Sequence, residues 1–259
     1  MIPLKDDIPT RRFPVLTVGI IVICCLVYFG FEGGSWSLSQ TGDERVLEYG
    51  AIPYEITHPG DDCGFTADGT VRCEGQTEVG GARAPEQAPW YLTILTSIFM
   101  HGSLLHLGGN MLFLWIFGNN IEDSMGRGRY VLFYLLGGVA ALMLQVVTDA
   151  SSTIPTVGAS GAIAAVLGGY AVLYPRARVV TLIFIIIIFT VIQLPALLVL
   201  GLWLAMQLLP AFSDPIGDGG GGVAYFAHIG GFVFGMLLIR LFANNVHEDY
   251  EAAHRVPVY

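Results

Sequence analysis

Charge is scarce in this chain: 13% of residues are charged and 54% are apolar. A soluble domain carries about a quarter charged residues, so this balance excludes an ordinary soluble fold and points to a membrane protein. Cysteine is sparse as well, at four residues. Cys24 and Cys25 are adjacent inside the first apolar stretch and read as apolar filler. Cys63 and Cys73 lie in a long polar loop with no further Cys or His at ligand spacing beside them. That disfavours a metal pair, and on an oxidising side of a membrane they are expected to close a small disulfide ring. No small-x-small site follows the first apolar stretch before the polar loop, so that stretch does not read as a cleavable signal. No convincing internal repeat is present, which argues against a transporter built from inverted repeats. The Gly-x-Ser-x-Gly elbow of soluble hydrolases is also missing, because Ala162 stands where its last glycine should be.

What is present is a set of six apolar stretches: Pro14–Phe31, Ile94–Phe117, Tyr130–Val147, Val157–Tyr174, Val179–Phe212 and Val223–Phe242. Most are near the roughly 20 residues that a spanning helix needs. The fifth is too long for one crossing, about 50 Å as a helix against a core of about 30 Å. Pro195 divides it, giving a crossing over residues 195–209 and a β-branched run, Val179–Ile192, lying partly along the membrane interface. The expected fold is therefore an all-α, six-helix membrane bundle forming one domain over residues 1–259. Residues 1–13 and 244–259 are read as polar tails, and 32–92 as a long first extracytoplasmic loop. Trp36, Tyr49, Tyr54 and Phe65 in that loop favour a partial seat on the bilayer surface.

Basic residues set the orientation. Lys5, Arg11, Arg12, Arg127, Arg129, Arg176, Arg178, Arg240 and Arg255 fall on one side, whereas Arg45, Arg72 and Arg83 fall in the long loop. Nine against three places both termini in the cytoplasm, in a multi-pass protein expected in the plasma membrane. Much of the net charge of −9 comes from the long loop. That loop reads as a solvated surface, and no nucleic-acid partner is expected.

Polar residues inside the apolar stretches are few, which makes them informative, since such groups are expensive in a membrane. Thr156-Val157-Gly158-Ala159-Ser160-Gly161 puts one serine at the mouth of the fourth stretch. Gly158 permits a sharp turn, and a helix start presents unpaired N–H groups beside that serine. The plainer alternative is a serine cap with small residues for packing. His106 and Asn110 are four apart in the second stretch and share a helical face. His101 lies about 140° from His106 around a helix. A zinc site from His101, His106 and a later histidine is disfavoured by that spacing, and neither metal nor cofactor is expected. Glu122 and Asp123 read as turn and cap residues. Gly161, Ala165 and Gly169 form a small-residue stripe, and Gly231 with Gly235 forms a second one suited to docking on it. His228 enters the sixth stretch from the same side as Ser160. Four consecutive glycines, Gly219–Gly222, make a hinge before it. A serine nucleophile needs a base, usually histidine. With no acid inside the fourth or sixth stretch, Ser160 and His228 read as a dyad rather than a triad. The Ser160 N–H, His106 and Asn110 are placed to donate to an oxyanion.

With His101, His106 and Asn110 in the second stretch, Gly158-Ala159-Ser160-Gly161 in the fourth and Ala227-His228-Ile229-Gly230-Gly231 in the sixth, the chain resembles the rhomboid family of intramembrane serine proteases. The resemblance covers all six stretches. It implies Ser160 as nucleophile, His228 as general base, and His106 and Asn110 as oxyanion helpers. It gives His101 a structural role near the first loop. It also implies that the substrates are transmembrane segments of membrane proteins, cut near their outer ends, with membrane lipid as the surrounding partner. Two positions depart from patterns seen in the family. Ala164 stands where some members carry a tyrosine that stacks on the histidine, and Trp90 is followed by Tyr91 rather than arginine. The first leaves open what holds the His228 ring. A rhomboid-like pseudoenzyme is the competing class, but it normally lacks the serine or the histidine.

Overall fold

The computed structural model describes residues 1–33, 43–66, 70–75, 87–185, 188–213 and 224–244. Trp36, Arg83, the Gly219–Gly222 hinge and the tail residues His247, His254 and Arg255 lie outside them. The first apolar stretch forms α1 (Val15–Leu26), which continues as a wider π turn over Val27–Phe31. Helix α1 has no side-chain cap of its own. Glu122 supplies one from another helix, accepting from Leu16 N at 3.1 Å and from Thr17 N and Oγ1 at 2.8 and 2.9 Å. A carboxylate there satisfies unpaired N–H groups and suits the positive helix end. Asp123 accepts from Arg11 N beside it.

The expected second span, Ile94–Phe117, is not one helix. A short α4 (Trp90–Thr96) and a tight turn over Ser97–Phe99 come first, and α5 (Leu104–Met125) then starts afresh and runs past Phe117. The break has a local cause. Ser103 is extended and its hydroxyl accepts from His106 N at 3.1 Å, so it opens a new helix as an N-cap. Gly126, at φ 76°, separates α5 from α6 (Arg127–Thr148).

Helix α7 (Ser160–Leu173) is buried along nearly its whole length and forms the axis of the core. Its small residues meet those of α9 (Tyr225–Phe242). A Cβ added at Gly231 would strike the Gly161 carbonyl, and one at Gly235 the Ala165 carbonyl. On α7, a Cβ at Gly168 would strike the Phe232 carbonyl. The two backbones touch, as small-residue stripes allow. This contact fixes the depth of residues on α9 relative to the start of α7.

The all-α expectation is corrected: the fold is mostly helical and also carries strands. The run Val179–Ile192 pairs as an antiparallel hairpin, β4 (Arg178–Ile185) with β5 (Ile188–Pro195). β1 (Ile2–Asp6) adds to the other edge of β4, giving the order β1-β4-β5. β-branched residues favour a pleated surface, which is why this stretch leaves the helical pattern. The N-terminal residues are accordingly not a plain tail. Asp6 is buried and its Oδ2 accepts from Asn120 Nδ2 at 2.5 Å and Tyr170 OH at 2.6 Å, tying the sheet to α5 and α7. Burial pushes the Asp6 carboxyl up to about 6. β5 ends at Pro195, and α8 (Ala196–Ser213) follows directly.

The long loop carries α2 (Asp43–Tyr49), α3 (Pro53–Thr57) and a small hairpin of β2 (Cys63–Phe65) with β3 (Val71–Cys73). Cys63 and Cys73 face each other across that hairpin and are bonded. The described part of the loop grips the segment leading to α7. Ala51 and Thr156 exchange backbone hydrogen bonds at 3.2 and 2.8 Å, and Tyr54 N donates to Ser152 O at 3.0 Å. Thr57 Oγ1 donates to Ala150 O, and Thr153 Oγ1 to Val71 O. Among the described residues, α6 and α9 are long and apolar enough to cross a membrane. The apolar helices over 15–31, 90–99, 160–173 and 196–212 are shorter.

Candidate active site

The segment before α7 is shaped by one glycine. Gly158 has φ 132°, a region that side-chain-bearing residues rarely adopt. Its N–H donates to Ser97 O at 2.9 Å, so the tight turn that follows α4 holds it from behind. A Cβ at this position would lie 2.8 Å from both Cε1 and Nε2 of His106 and 3.3 Å from Ser160 Oγ. The gap between the serine hydroxyl and the His106 ring therefore exists because position 158 has no side chain.

Ser160 is the first residue of α7, where the backbone N–H groups lack helical partners. Its Oγ lies 2.7 Å from Nε2 of His228, which sits in the first turns of α9. Both residues are part-buried at this contact. The close approach of α7 and α9 at Gly161 and Gly231 is what brings the two side chains level. A hydroxyl at 2.7 Å from an imidazole nitrogen is within proton-transfer range.

On α5, His106 stands one turn from Asn110 on the same face. The His106 ring reaches Gly158, as above, and lies 5.2 Å from the His101 ring in an edge-on arrangement. Among the described residues, the buried Nδ2 of Asn110 has no hydrogen-bond partner. A buried amide donor without an acceptor is costly unless something else fills the role. His101 is fully buried outside α5, its N–H donating to both oxygens of Glu32 at 3.2 Å. Glu32 thus ties the end of the first helix to the break before α5.

Two side chains at this site go unmentioned in the sequence reading. Gln207 of α8 places Oε1 2.8 Å from His228 Nδ1, on the far side of the ring from Ser160. Trp203, one turn earlier, has its ring centroid 5.8 Å from that of His228. The available signal was a lone amide in the otherwise apolar run 196–212, which is unusual for a membrane helix.

A family model described as the Rhomboid domain matches residues 88–245, which hold every one of these side chains except Glu32. The chain belongs to the rhomboid family. Relatives of this rhomboid include Rhomboid protein 1, mitochondrial, of Saccharomyces cerevisiae, 28% identical over 151 residues, which are 56% of this chain and 40% of the yeast protein. Presenilin-associated rhomboid-like protein A, mitochondrial, of Danio rerio is 31% identical over 154 residues, covering 57% and 37% of the two chains. Rhomboid protease GluP of Bacillus subtilis is 39% identical over 82 residues, covering 32% and 15%. The rhomboid described here matches about two fifths of the length of the yeast and zebrafish proteins. The expected plasma membrane is corrected by these relatives. The yeast, zebrafish and mouse proteins are mitochondrial by name, so these relatives do not support a plasma-membrane assignment. Basic-residue counts distinguish the two sides of a membrane but not which membrane it is. The integral membrane character stands.

Proposed function

We propose that this rhomboid is a serine endopeptidase that cuts transmembrane segments of other membrane proteins, using Ser160 as nucleophile and His228 as general base. In this reading all six apolar segments cross the bilayer, and both termini lie on the side opposite Ser160. The single observation that carries it is the 2.7 Å contact between Ser160 Oγ and His228 Nε2 beside the side-chain-free gap at Gly158.

The steps follow from that arrangement. His228 Nε2 takes the hydroxyl proton as Ser160 Oγ attacks the scissile carbonyl carbon. Negative charge then collects on the former carbonyl oxygen. The gap at Gly158 is where that oxygen fits, between the Ser160 N–H at the start of α7 and the His106 ring. Asn110 Nδ2 is the second side-chain donor assigned to it, which accounts for a buried amide with no partner of its own. The protonated His228 returns its proton to the departing amine, leaving an ester on Ser160. Water, deprotonated by His228, hydrolyses that ester and restores the hydroxyl. His101 and Glu32 brace the break before α5, and the long loop braces the segment before α7. In this reading the site is reached from the loop side, and a substrate helix is cut near the end that emerges there.

The test is cleavage of a transmembrane test segment by the full chain in liposomes, alongside labelling by a serine-reactive phosphonate. Wild type cleaves and is labelled, whereas Ser160→Ala and His228→Ala each do neither. The double variant adds little to either single loss, because members of one unit are not additive. Cleavage by Ser160→Ala at the wild-type rate would refute the assignment. Retention of the test segment by wild type with neither cleavage nor labelling would favour a helix-binding pseudoenzyme.

A further inference from the structure

Ala164 leaves the His228 ring without an aromatic neighbour from α7, yet the ring must hold one tautomer and one orientation to act on Ser160. In a neutral imidazole only one nitrogen carries a proton. For Nε2 to accept from Ser160, Nδ1 must carry the proton and needs an acceptor. Gln207 Oε1 lies 2.8 Å from Nδ1. A glutamine amide can present either end, but here its other end is committed. Gln207 Nε2 donates to the Trp203 backbone carbonyl at 3.2 Å, one helical turn back on α8. That bond turns Oε1, not Nε2, toward His228. The Trp203 ring packs within 5.8 Å of the His228 ring and 6.1 Å of the Phe232 ring, stacked on the latter. The imidazole is thus held at its far nitrogen by an amide and at its side by an indole, both from α8.

We propose that Gln207 is a positioning residue: its carbonyl oxygen fixes the Nδ1–H tautomer of His228 and aims Nε2 at Ser160, with Trp203 limiting tilt of the ring. This rests on Ser160 and His228 being the catalytic pair. It assigns to a neutral amide the place that an aspartate holds in a triad, and to α8 the support that α7 lacks at Ala164. A neutral acceptor orients the ring without adding a buried charge, which suits a membrane interior.

The test compares Gln207→Met, which keeps length but loses the acceptor, with Gln207→Glu, which keeps an acceptor at the same reach. Steady-state cleavage and melting temperature are measured for the full chain in liposomes. Expected for Gln207→Met is a kcat roughly 10- to 100-fold lower, the range for loss of a partner that orients a functional histidine, with KM little changed. Gln207→Glu is expected to recover most of that loss. Equal losses in both variants together with lowered melting temperatures would mean the residue only packs α8, and would overturn the proposal. Wild-type kcat in Gln207→Met would overturn it too. Ser160→Ala run in parallel separates the two claims. If it is inactive while Gln207→Met is not, only the positioning role fails; if it cleaves, the catalytic pair itself fails.

Discussion

Gly235→Ala tests whether the backbone contact between α7 and α9 sets the geometry at Ser160. A Cβ there would fall on the Ala165 carbonyl oxygen and lie 2.7 and 2.9 Å from the Ala165 C and Cα. Ordinary contact begins at 3.4 Å. All three neighbours are backbone atoms, so no rotamer change relieves the clash and the helices must part by about 1 Å or more to restore ordinary contact. Overpacking of this kind costs about 1–3 kcal/mol. The consequence reaches further than stability. Gly235 lies two helical turns, about 10 Å, beyond His228 on the same rigid helix. Parting the helices there lengthens the 2.7 Å Ser160–His228 contact toward or beyond the hydrogen-bond limit. The assay is thermal unfolding in detergent together with phosphonate labelling of Ser160. Gly235→Ala should lose both stability and labelling rate. Gly201→Ala on α8 is the control. Nothing lies within 4 Å of its added Cβ, so it should be neutral or slightly stabilising. A Gly235→Ala protein as stable and as readily labelled as Gly201→Ala would refute the reasoning.

Asn110→Ala should lower kcat with KM and melting temperature nearly unchanged, by up to about 10²–10³-fold and by less where His106 and the Ser160 N–H share the oxyanion; a normal kcat in a destabilised protein would reduce Asn110 to helix glue. Burial raises the Glu55 carboxyl in α3 from its ordinary 4.5 to about 7. Its neutral form is the one the fold favours, so the loop should lose stability as pH climbs from about 4.5 to about 7, a trend that hydrogen exchange over residues 43–75 should record and that Glu55→Gln should abolish. Cys63 and Cys73 should appear as one linked peptide pair in non-reducing mass spectrometry, and replacing both should destabilise the loop by about 3 kcal/mol in the chain-entropy model.

How much of this was legible in the sequence depended on whether a residue's chemistry was local or supplied by a distant partner. The Gly158 turn, the small-residue stripes of α7 and α9, and the shared face of His106 and Asn110 are local patterns, and each could be read directly. The break at Met100–Ser103 was legible in principle, since Gly-Ser ahead of a leucine run is a helix-start signal, but the apolar run around it dominated the reading. The strands were hidden for a different reason. Val179–Ile192 is apolar at every position but Thr181 and Thr190, and periodicity cannot distinguish a buried strand from a buried helix in such a run. Its partner, β1, lies some 175 residues away in a segment that composition alone marks as a tail.

Glu122 and Gln207 show the same limit at single residues. Each was a polar side chain whose type was visible and whose target was not. Glu122 was read as a cap, and it caps a helix that begins more than 100 residues earlier. Gln207 reads as one amide in an apolar run until α8 is laid against α9, and then it meets the one ring nitrogen that the Ser160 contact leaves unused. The missing acid inside the fourth and sixth stretches argues against an Asp-bearing triad. It does not argue that the histidine stands alone, because a neutral amide can fix a tautomer as well as a carboxylate can. In a membrane interior that substitution has a physical rationale: it orients the base without a buried charge to desolvate. A lone amide in an apolar membrane helix is therefore better matched against ring nitrogens on neighbouring helices than set aside as packing.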